Sequence, residues 1–230
     1  MSAFATTPKL YYWPLIGRAG SMIRMMDYKG VKYDYSSEFG DIAAKGSAFG
    51  ADSDTFAPPF LVDGDVVLSQ SNAIAMYLGD KLGLNEGITV PAKAVQYLSD
   101  IYEIFEIKMG GLKADGAALA EYCGGDRFKS QARNLENAIR GPFYFGEQPT
   151  YVDFYLLGYY DATDILTTSY LVKAGAANPF AGCTKMMAIV EALRKHESYG
   201  KHAGNAPPHW SNNMEIKQEQ VDAYIKATTK

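Results

Sequence analysis

The pattern of apolar and polar positions divides the chain into two regimes. In the first, short β-type runs alternate with helical ones. Residues 9–13 (KLYYW) predict a strand rich in aromatics, broken by Pro14 and Gly17. Over residues 18–28, Ala19, Met22, Ile23 and Met26 recur at helical spacing, and Gly30 stands where a C-terminal cap glycine belongs. Residues 31–35 (VKYDY) alternate like a second strand; residues 36–57 are irregular, with room for one helical turn over 41–45. Two β-rich runs, 60–62 and 66–68, flank Asp63-Gly64, a strong hairpin signal. Residues 72–82 predict a helix with Ser71 as its N-cap and Gly83 as its stop. The order β-α-β-β-β-α describes a small mixed sheet, built from a strand–helix–strand unit and a helix-covered hairpin.

Residues 85–91 read as a linker, and beyond them the pattern turns helical. Ala94, Leu98, Ile101, Phe105, Met109 and Leu112 step by three or four and share one helix face, while Asp100, Glu103 and Glu106 form an acidic one. Further helices are predicted over 127–140, 182–195 and, weakly amphipathic, 214–226. Thr150-Tyr151-Val152-Asp153 predicts a capping box, with the Thr150 side chain on the Asp153 amide and the Asp153 carboxylate on the Thr150 amide. The run behind it, FYLLGYYDA, is apolar or aromatic on every side, which predicts a buried helix.

Composition narrows the function classes. At 230 residues the chain has room for one large or two small domains. Its net charge of −4 and the lack of a basic stripe argue against nucleic acid as a partner. No Lys/Arg block and no apolar run near the roughly 20 residues of a membrane span argue for a membrane partner. Cys123 and Cys183 make neither a disulfide framework nor a metal-site spacing. With a start (MSAFATTPKL) too short and too polar for a signal peptide, they predict reduced thiols and a cytoplasmic location. His196, His202 and His209 read as solvated surface histidines, so no metal is expected. The 17 tyrosines favour semi-polar clefts.

Two strings carry a family resemblance. Tyr12-Trp13-Pro14-Leu15-Ile16-Gly17-Arg18-Ala19 and Asp63-Gly64-Asp65-Val66-Val67-Leu68-Ser69-Gln70-Ser71-Asn72-Ala73-Ile74 have the forms Y-[FW]-P-x-x-G-R-[AC] and D-G-x-x-x-L-x-Q-S-N-x-I. On these strings the chain resembles the soluble glutathione transferases, Tyr-type, closest to the pi and sigma classes. The resemblance spans nearly the whole chain and is specific in residues 9–84 and 143–160. It implies an α/β thioredoxin-like N-terminal domain (βαβ-ββα) over 1–84 and an all-α C-terminal domain over 92–230. It also implies glutathione as co-substrate, a hydrophobic electrophile as second substrate, a role in detoxification and a homodimer.

The chemistry such an enzyme needs can be set against individual residues. A free glutathione thiol titrates near about 9, so only ~1% is thiolate at neutral pH, and the thiolate is the nucleophile. Lowering that pKa by about two units requires roughly 2.7 kcal/mol of differential stabilisation, much of which one hydroxyl donating to sulfur can supply. Such a hydroxyl belongs just after the first strand, where Tyr12 stands. Alternation puts Tyr11 and Tyr12 on opposite faces. The residues alone leave Tyr12 open as a strand aromatic; the resemblance makes it the catalytic tyrosine. Arg18 opens the first helix, where amides and a guanidinium attract anions, and by resemblance approaches the glycyl carboxylate or the thiolate. Gln70 and Ser71 stand at the next helix start, with Ser71 offering hydroxyl and amide to the γ-glutamyl carboxylate. Lys45 matches a second glycyl contact. Trp13 and Leu15, with Tyr102, Phe105 and Met109 from the long helix, are the expected lining of the electrophile pocket.

The family has a cis-proline before the hairpin, and the residue ahead of it pairs its backbone with glutathione. Here the sequence is Ala57-Pro58-Pro59. Pi-like spacing makes Pro59 the cis-proline and leaves Pro58 with no N–H to give; sigma-like spacing makes it Pro58 and keeps the Ala57 N–H. The hairpin length favours Pro59. The acidic residue that pi-class partners donate across the dimer has Ile104 in its place, and the loop tryptophan has no match, Phe39 being the nearest aromatic. Two functions remain: a transferase, with isomerase or peroxidase activity on the same site, and a non-catalytic binding or structural protein of the same fold. A cysteine-type enzyme needs a cysteine near residues 14–17, and none is there.

Overall fold

The computed structural model describes residues 4–15, 17–110, 115–163 and 177–204, together with 222 and 226. Strand β1 (Lys9–Tyr11) runs parallel to β2 (Asp34–Ser36) and antiparallel to β3 (Phe60–Asp63), which pairs antiparallel with β4 (Val66–Leu68). The sheet order is β2-β1-β3-β4. Between β1 and β2 lies α1 (Gly20–Tyr28), entered through a 3₁₀ turn at Gly17–Ala19. Gly30 at φ +62° closes α1: its N–H donates to the Asp27 carbonyl and that of Val31 to the Met26 carbonyl. This double closure uses Val31, so β2 starts at Asp34, later than the alternation from residue 31 suggests. The irregular stretch holds a short α2 (Phe39–Ala43) and a 3₁₀ turn at Ser47–Phe49. Asp63 pairs with Val66 across a two-residue hairpin turn, with Gly64 at φ +59°.

Helix α3 (Ser71–Leu82) covers the sheet. Ser71 is its first residue and Gln70 its cap position, with no side chain capping the amides. The expected Ser71 cap is therefore absent, because its hydroxyl faces another helix.

The second regime is helical. Helix α4 (Pro91–Tyr102) begins with proline at a position where no N–H is needed. It passes without a break into a π-helical segment, Glu103–Gly110. The expected single stripe ignores this widening. Ala94, Leu98, Ile101, Ile104, Phe105 and Met109 are all buried, and Leu112 lies outside the described residues. Helix α5 (Gly116–Gly124), capped by Asp115 on the Ala117 and Ala118 amides, had no counterpart in the periodicity. Then come α6 (Asp126–Ala138), α7 (Tyr151–Thr163) and α8 (Thr184–Lys195). The helix expected over 214–226 falls outside the described residues apart from 222 and 226.

Every residue of α7 is buried, and α7 joins the two regimes. A Cβ on Gly158 would collide with the Ser21 amide of α1, so the helices meet backbone to backbone. Half of the capping box forms: the Thr150 N–H donates to Asp153 Oδ2 at 2.7 Å. The Thr150 hydroxyl donates to the same oxygen at 2.8 Å, and the Asp153 N–H goes to the Thr150 carbonyl, not its side chain. The other carboxylate oxygen accepts the Tyr144 N–H at 2.9 Å, a demand that turned the threonine hydroxyl into a donor.

Candidate functional site around Tyr12

Where β1 ends, the Tyr12 N–H still donates to the Ser36 carbonyl at 3.1 Å. Tyr11 packs with Ile42 and Phe60 on one face; Tyr12 is buried in the main core on the other. The chain then turns over the phenol. Tyr35 donates its O–H to the Trp13 carbonyl at 2.5 Å and fixes the turn. Gly17 sits at φ +31°, and a Cβ there would stand 2.5 Å from Tyr12 Oη. Glycine is what lets the backbone come this close.

The result is a hydrogen bond from the Arg18 N–H to Tyr12 Oη, at 3.1 Å. Burial raises the phenol above its ordinary pKa, against the pull of the Arg18 amide, so the hydroxyl stays protonated at neutral pH. Among the described residues nothing accepts its proton. Tyr12 is thus a neutral donor whose oxygen is held from behind, and accepting a hydrogen bond polarises its O–H.

The Arg18 side chain turns the other way. Its Nε donates to Glu106 Oε1 at 3.0 Å, and its guanidinium lies 5.4 Å from the centre of the Tyr102 ring. Glu106 belongs to the π-helical segment, so this widened turn carries the carboxylate that holds Arg18. Tyr102 in turn meets Tyr159 edge to face at 5.9 Å.

Tyr159 leads to α3. The Ser71 hydroxyl is within 3.1 Å of both the Tyr155 and Tyr159 hydroxyls, and Tyr155 donates to Asn72 Oδ1. Residues 155 and 159 are one helical turn apart, so α7 presents both phenols together. Gln70, just before α3, has φ +70° and ψ 116°, the one non-glycine positive φ among the described residues. Such a conformation costs about 1–3 kcal/mol. The first amides of α3, which follow it, have no acceptor within the helix.

The chain has the fold of glutathione transferases. Over 84% of its length it superposes on a pi-class glutathione S-transferase of Onchocerca volvulus, with a TM-score of 0.60, 19% identity and 90% of that chain covered. The prostaglandin synthase D of Nilaparvata lugens matches 84% of this chain and 95% of its own, with a TM-score of 0.61 and 17% identity. A possible glutathione S-transferase from Rhodopseudomonas palustris gives a TM-score of 0.62 at 17% identity, over 84% of this chain and 89% of that one. No protein-family model and no curated protein sequence matches the chain. The likeness is one of architecture: a thioredoxin-like sheet domain followed by a helical domain.

On that architecture the expected residues fall into separate groups. Tyr12, Arg18 and Tyr102 converge, and Ser71 joins them through Tyr159. Lys45 stands apart, its Nζ 5.2 Å from the centre of the Tyr11 ring, on the opposite face of β1. Trp13 also turns that way: it stacks on Phe39 at 6.4 Å and meets Phe49 edge to face at 6.1 Å. Leu15 packs near Gly17, against the main core. Phe105 stacks on Phe180 at 5.0 Å, and Phe105 and Met109 are both core residues. Ile104 is fully buried. The peptide bond between Pro58 and Pro59 is cis, and Pro58 has no N–H to offer.

Three groups escaped the sequence reading. Glu106 appeared only as part of an acidic face, and Tyr155 and Tyr159 only as apolar bulk. Their four-residue spacing was the available signal. His202 is not solvated: Nδ1 lies 2.9 Å from Asp27 Oδ2, and the Asp27 carboxylate also takes the Ala203 N–H and the Tyr33 O–H. His196 packs on the Tyr28 ring at 4.4 Å. His209 lies outside the described residues. No group of three or more metal-binding side chains occurs among the described residues, and no helix there is long and apolar enough to cross a membrane.

Proposed function

We propose that this chain is a glutathione transferase of the tyrosine type, which adds the glutathione thiolate to hydrophobic electrophiles. The observation that carries the reading is the Tyr12 hydroxyl. It is buried and protonated, held from behind by the Arg18 amide, and its proton has no acceptor among the described residues. A sulfur seated there receives that proton as a hydrogen bond, which favours thiolate over thiol. The Arg18 guanidinium lies nearby, held by Glu106, whose carboxylate offsets its charge at Tyr12. The start of α3, at Gln70 and Ser71, takes the γ-glutamyl carboxylate on its amides. Because the Ser71 hydroxyl is engaged by two phenols, its amide is the contact we assign. Lys45 is the proposed glycyl contact, reached from the Tyr11 side. Pro58, ahead of the cis Pro59, offers only its carbonyl to the cysteinyl part. The missing N–H weakens binding by about 0.5–1.5 kcal/mol.

The electrophile pocket of this reading lies between the domains, over Leu15 and Tyr102. The proposed domains are residues 1–84 and 92–230, the proposed assembly is a homodimer, and the proposed compartment is the cytoplasm. The test is conjugation of glutathione to an aryl halide by the wild type and by Tyr12→Phe. The reading expects turnover in the wild type and a fall in kcat of at least roughly tenfold in the variant, equivalent to about 1.4 kcal/mol. The missing Pro58 N–H favours a second reading, a non-catalytic binding protein of this fold. Glutathione binding without turnover of any electrophile would select it.

A further inference from the structure

The two residues that open α3 are tied by their side chains to α7, which lies more than 80 positions further along the chain. Ser71 is 6% exposed, and its hydroxyl lies 3.1 Å from the Tyr155 hydroxyl and 3.1 Å from that of Tyr159. Tyr155 donates to Asn72 Oδ1. Burial raises both phenols, Tyr155 to about 12 and Tyr159 well above its ordinary value, so each keeps its proton at neutral pH.

The direction of these hydrogen bonds follows from their protons. A hydroxyl gives one hydrogen bond and accepts others. The Tyr155 proton goes to Asn72, so towards Ser71 the Tyr155 oxygen accepts. Ser71 then gives its own proton to Tyr155 and receives that of Tyr159. The chain runs one way, from Tyr159 to Ser71 to Tyr155 to Asn72, and each of the three hydroxyls has one acceptor. A buried network satisfied in this way is rigid. It fixes the side chains of both Ser71 and Asn72.

These residues directly follow the strained one. Gln70 has φ +70°, no side chain caps α3, and the Gln70 carbonyl accepts the Ile74 N–H at 3.0 Å. A backbone in this region persists only where its surroundings over-determine it. Helix α7 supplies a fixed point, since all of it is buried and Gly158 seats it on the Ser21 amide of α1.

We propose that Tyr155 and Tyr159 are positioning residues for the γ-glutamyl carboxylate of glutathione. They act through the Ser71 hydroxyl to hold the Ser71 amide where the carboxylate meets it, and they do not touch the ligand. This role rests on the proposed glutathione-transferase function. It makes a contact of the sheet domain depend on a helix of the second domain.

The experiment is calorimetry of the full chain with two ligands, glutathione and γ-aminobutyryl-cysteinylglycine. The second lacks only the α-carboxylate of the γ-glutamyl group. Tyr155→Phe keeps the ring and removes the link between Ser71 and Asn72, and should weaken glutathione binding roughly tenfold. Tyr159→Phe removes only the head of the chain and should weaken it roughly threefold. It carries the test if Tyr155→Phe does not fold. Both variants should bind the analogue as the wild type does, because the contact they disturb is the one the analogue lacks. Equal weakening of both ligands would indicate a general loosening of the fold and overturn the proposal. So would glutathione affinity that is unchanged, or tighter, in the variants; tighter binding would mean that the phenols withhold the Ser71 hydroxyl from the ligand. A wild type that binds no glutathione would overturn the transferase function itself, and this role with it.

Discussion

The two ends of α7 and the turn after β1 treat buried polar groups in opposite ways. At the N-terminal end of α7, Asp153 receives the Tyr144 and Thr150 amides and the Thr150 hydroxyl. At the other end, Asp161 is bonded by Arg24 from α1, by Arg194 through two nitrogens, and by the Tyr199 hydroxyl. Both carboxylates are filled by the protein itself. At the turn and at the start of α3, the Tyr12 proton and the first amides of α3 have no acceptor among the described residues, and the backbone at Gln70 is strained. A buried polar group with every partner in place holds the chain together. One left open is a group that the proposed glutathione ligand would complete.

This contrast can be broken by mutation. The largest effect should come from Asp161→Ala. It leaves Arg24, 4% exposed, without the carboxylate that ties α1 to α7, and should cost about 3–5 kcal/mol in urea denaturation. A loss below about 1 kcal/mol would mean that the closed cluster does not hold the domains together. Asp153→Ala strands two buried amides and should cost about 2 kcal/mol. Asp153 also predicts a pH dependence. Burial raises its pKa to about 6, against the hydrogen bonds it accepts, while the unfolded value is near the ordinary 3.8. The folded state then binds a proton that the unfolded state does not. This group's contribution is present below about pH 4 and lost as pH rises through 6, by up to about 3 kcal/mol. Asp153→Asn should remove that slope, as denaturation midpoints at several pH values would reveal.

The smallest effect sharpens the comparison from the open side. Gln70→Gly relieves the strained φ and should stabilise the fold by about 1 kcal/mol, a rise of roughly 2–4 °C in Tm for a chain of this length. Glutathione affinity, by calorimetry, should fall in the same variant. Stabilisation with unchanged affinity would mean that the strain has no role in binding.

The same contrast explains what could be read from the sequence. Strand, turn and cap signals are local, so the hairpin at Asp63, the Gly30 closure and the buried character of α7 followed from a few neighbouring residues. The string from Tyr12 to Ala19 placed the phenol beside the helix start because Arg18 follows Tyr12 by only six positions. Partners distant in sequence were not legible. Glu106 reaches Arg18 across 88 residues, and only a π-helical turn, invisible to a 3.6-residue count, sets its direction. Ser71 looked like a cap until the phenols of Tyr155 and Tyr159, more than 80 residues away, claimed its hydroxyl. His202 looked solvated because Asp27 lies 175 residues earlier.

The most direct test of the central claim is the titration of glutathione bound to the protein, followed by thiolate absorbance in the wild type and in Tyr12→Phe. The account predicts that the wild type lowers the thiol pKa by about two units from its free value near 9, and that the variant, with glutathione still bound, returns it most of the way. An equally lowered pKa in Tyr12→Phe, or an unshifted thiol in the wild type, would contradict it.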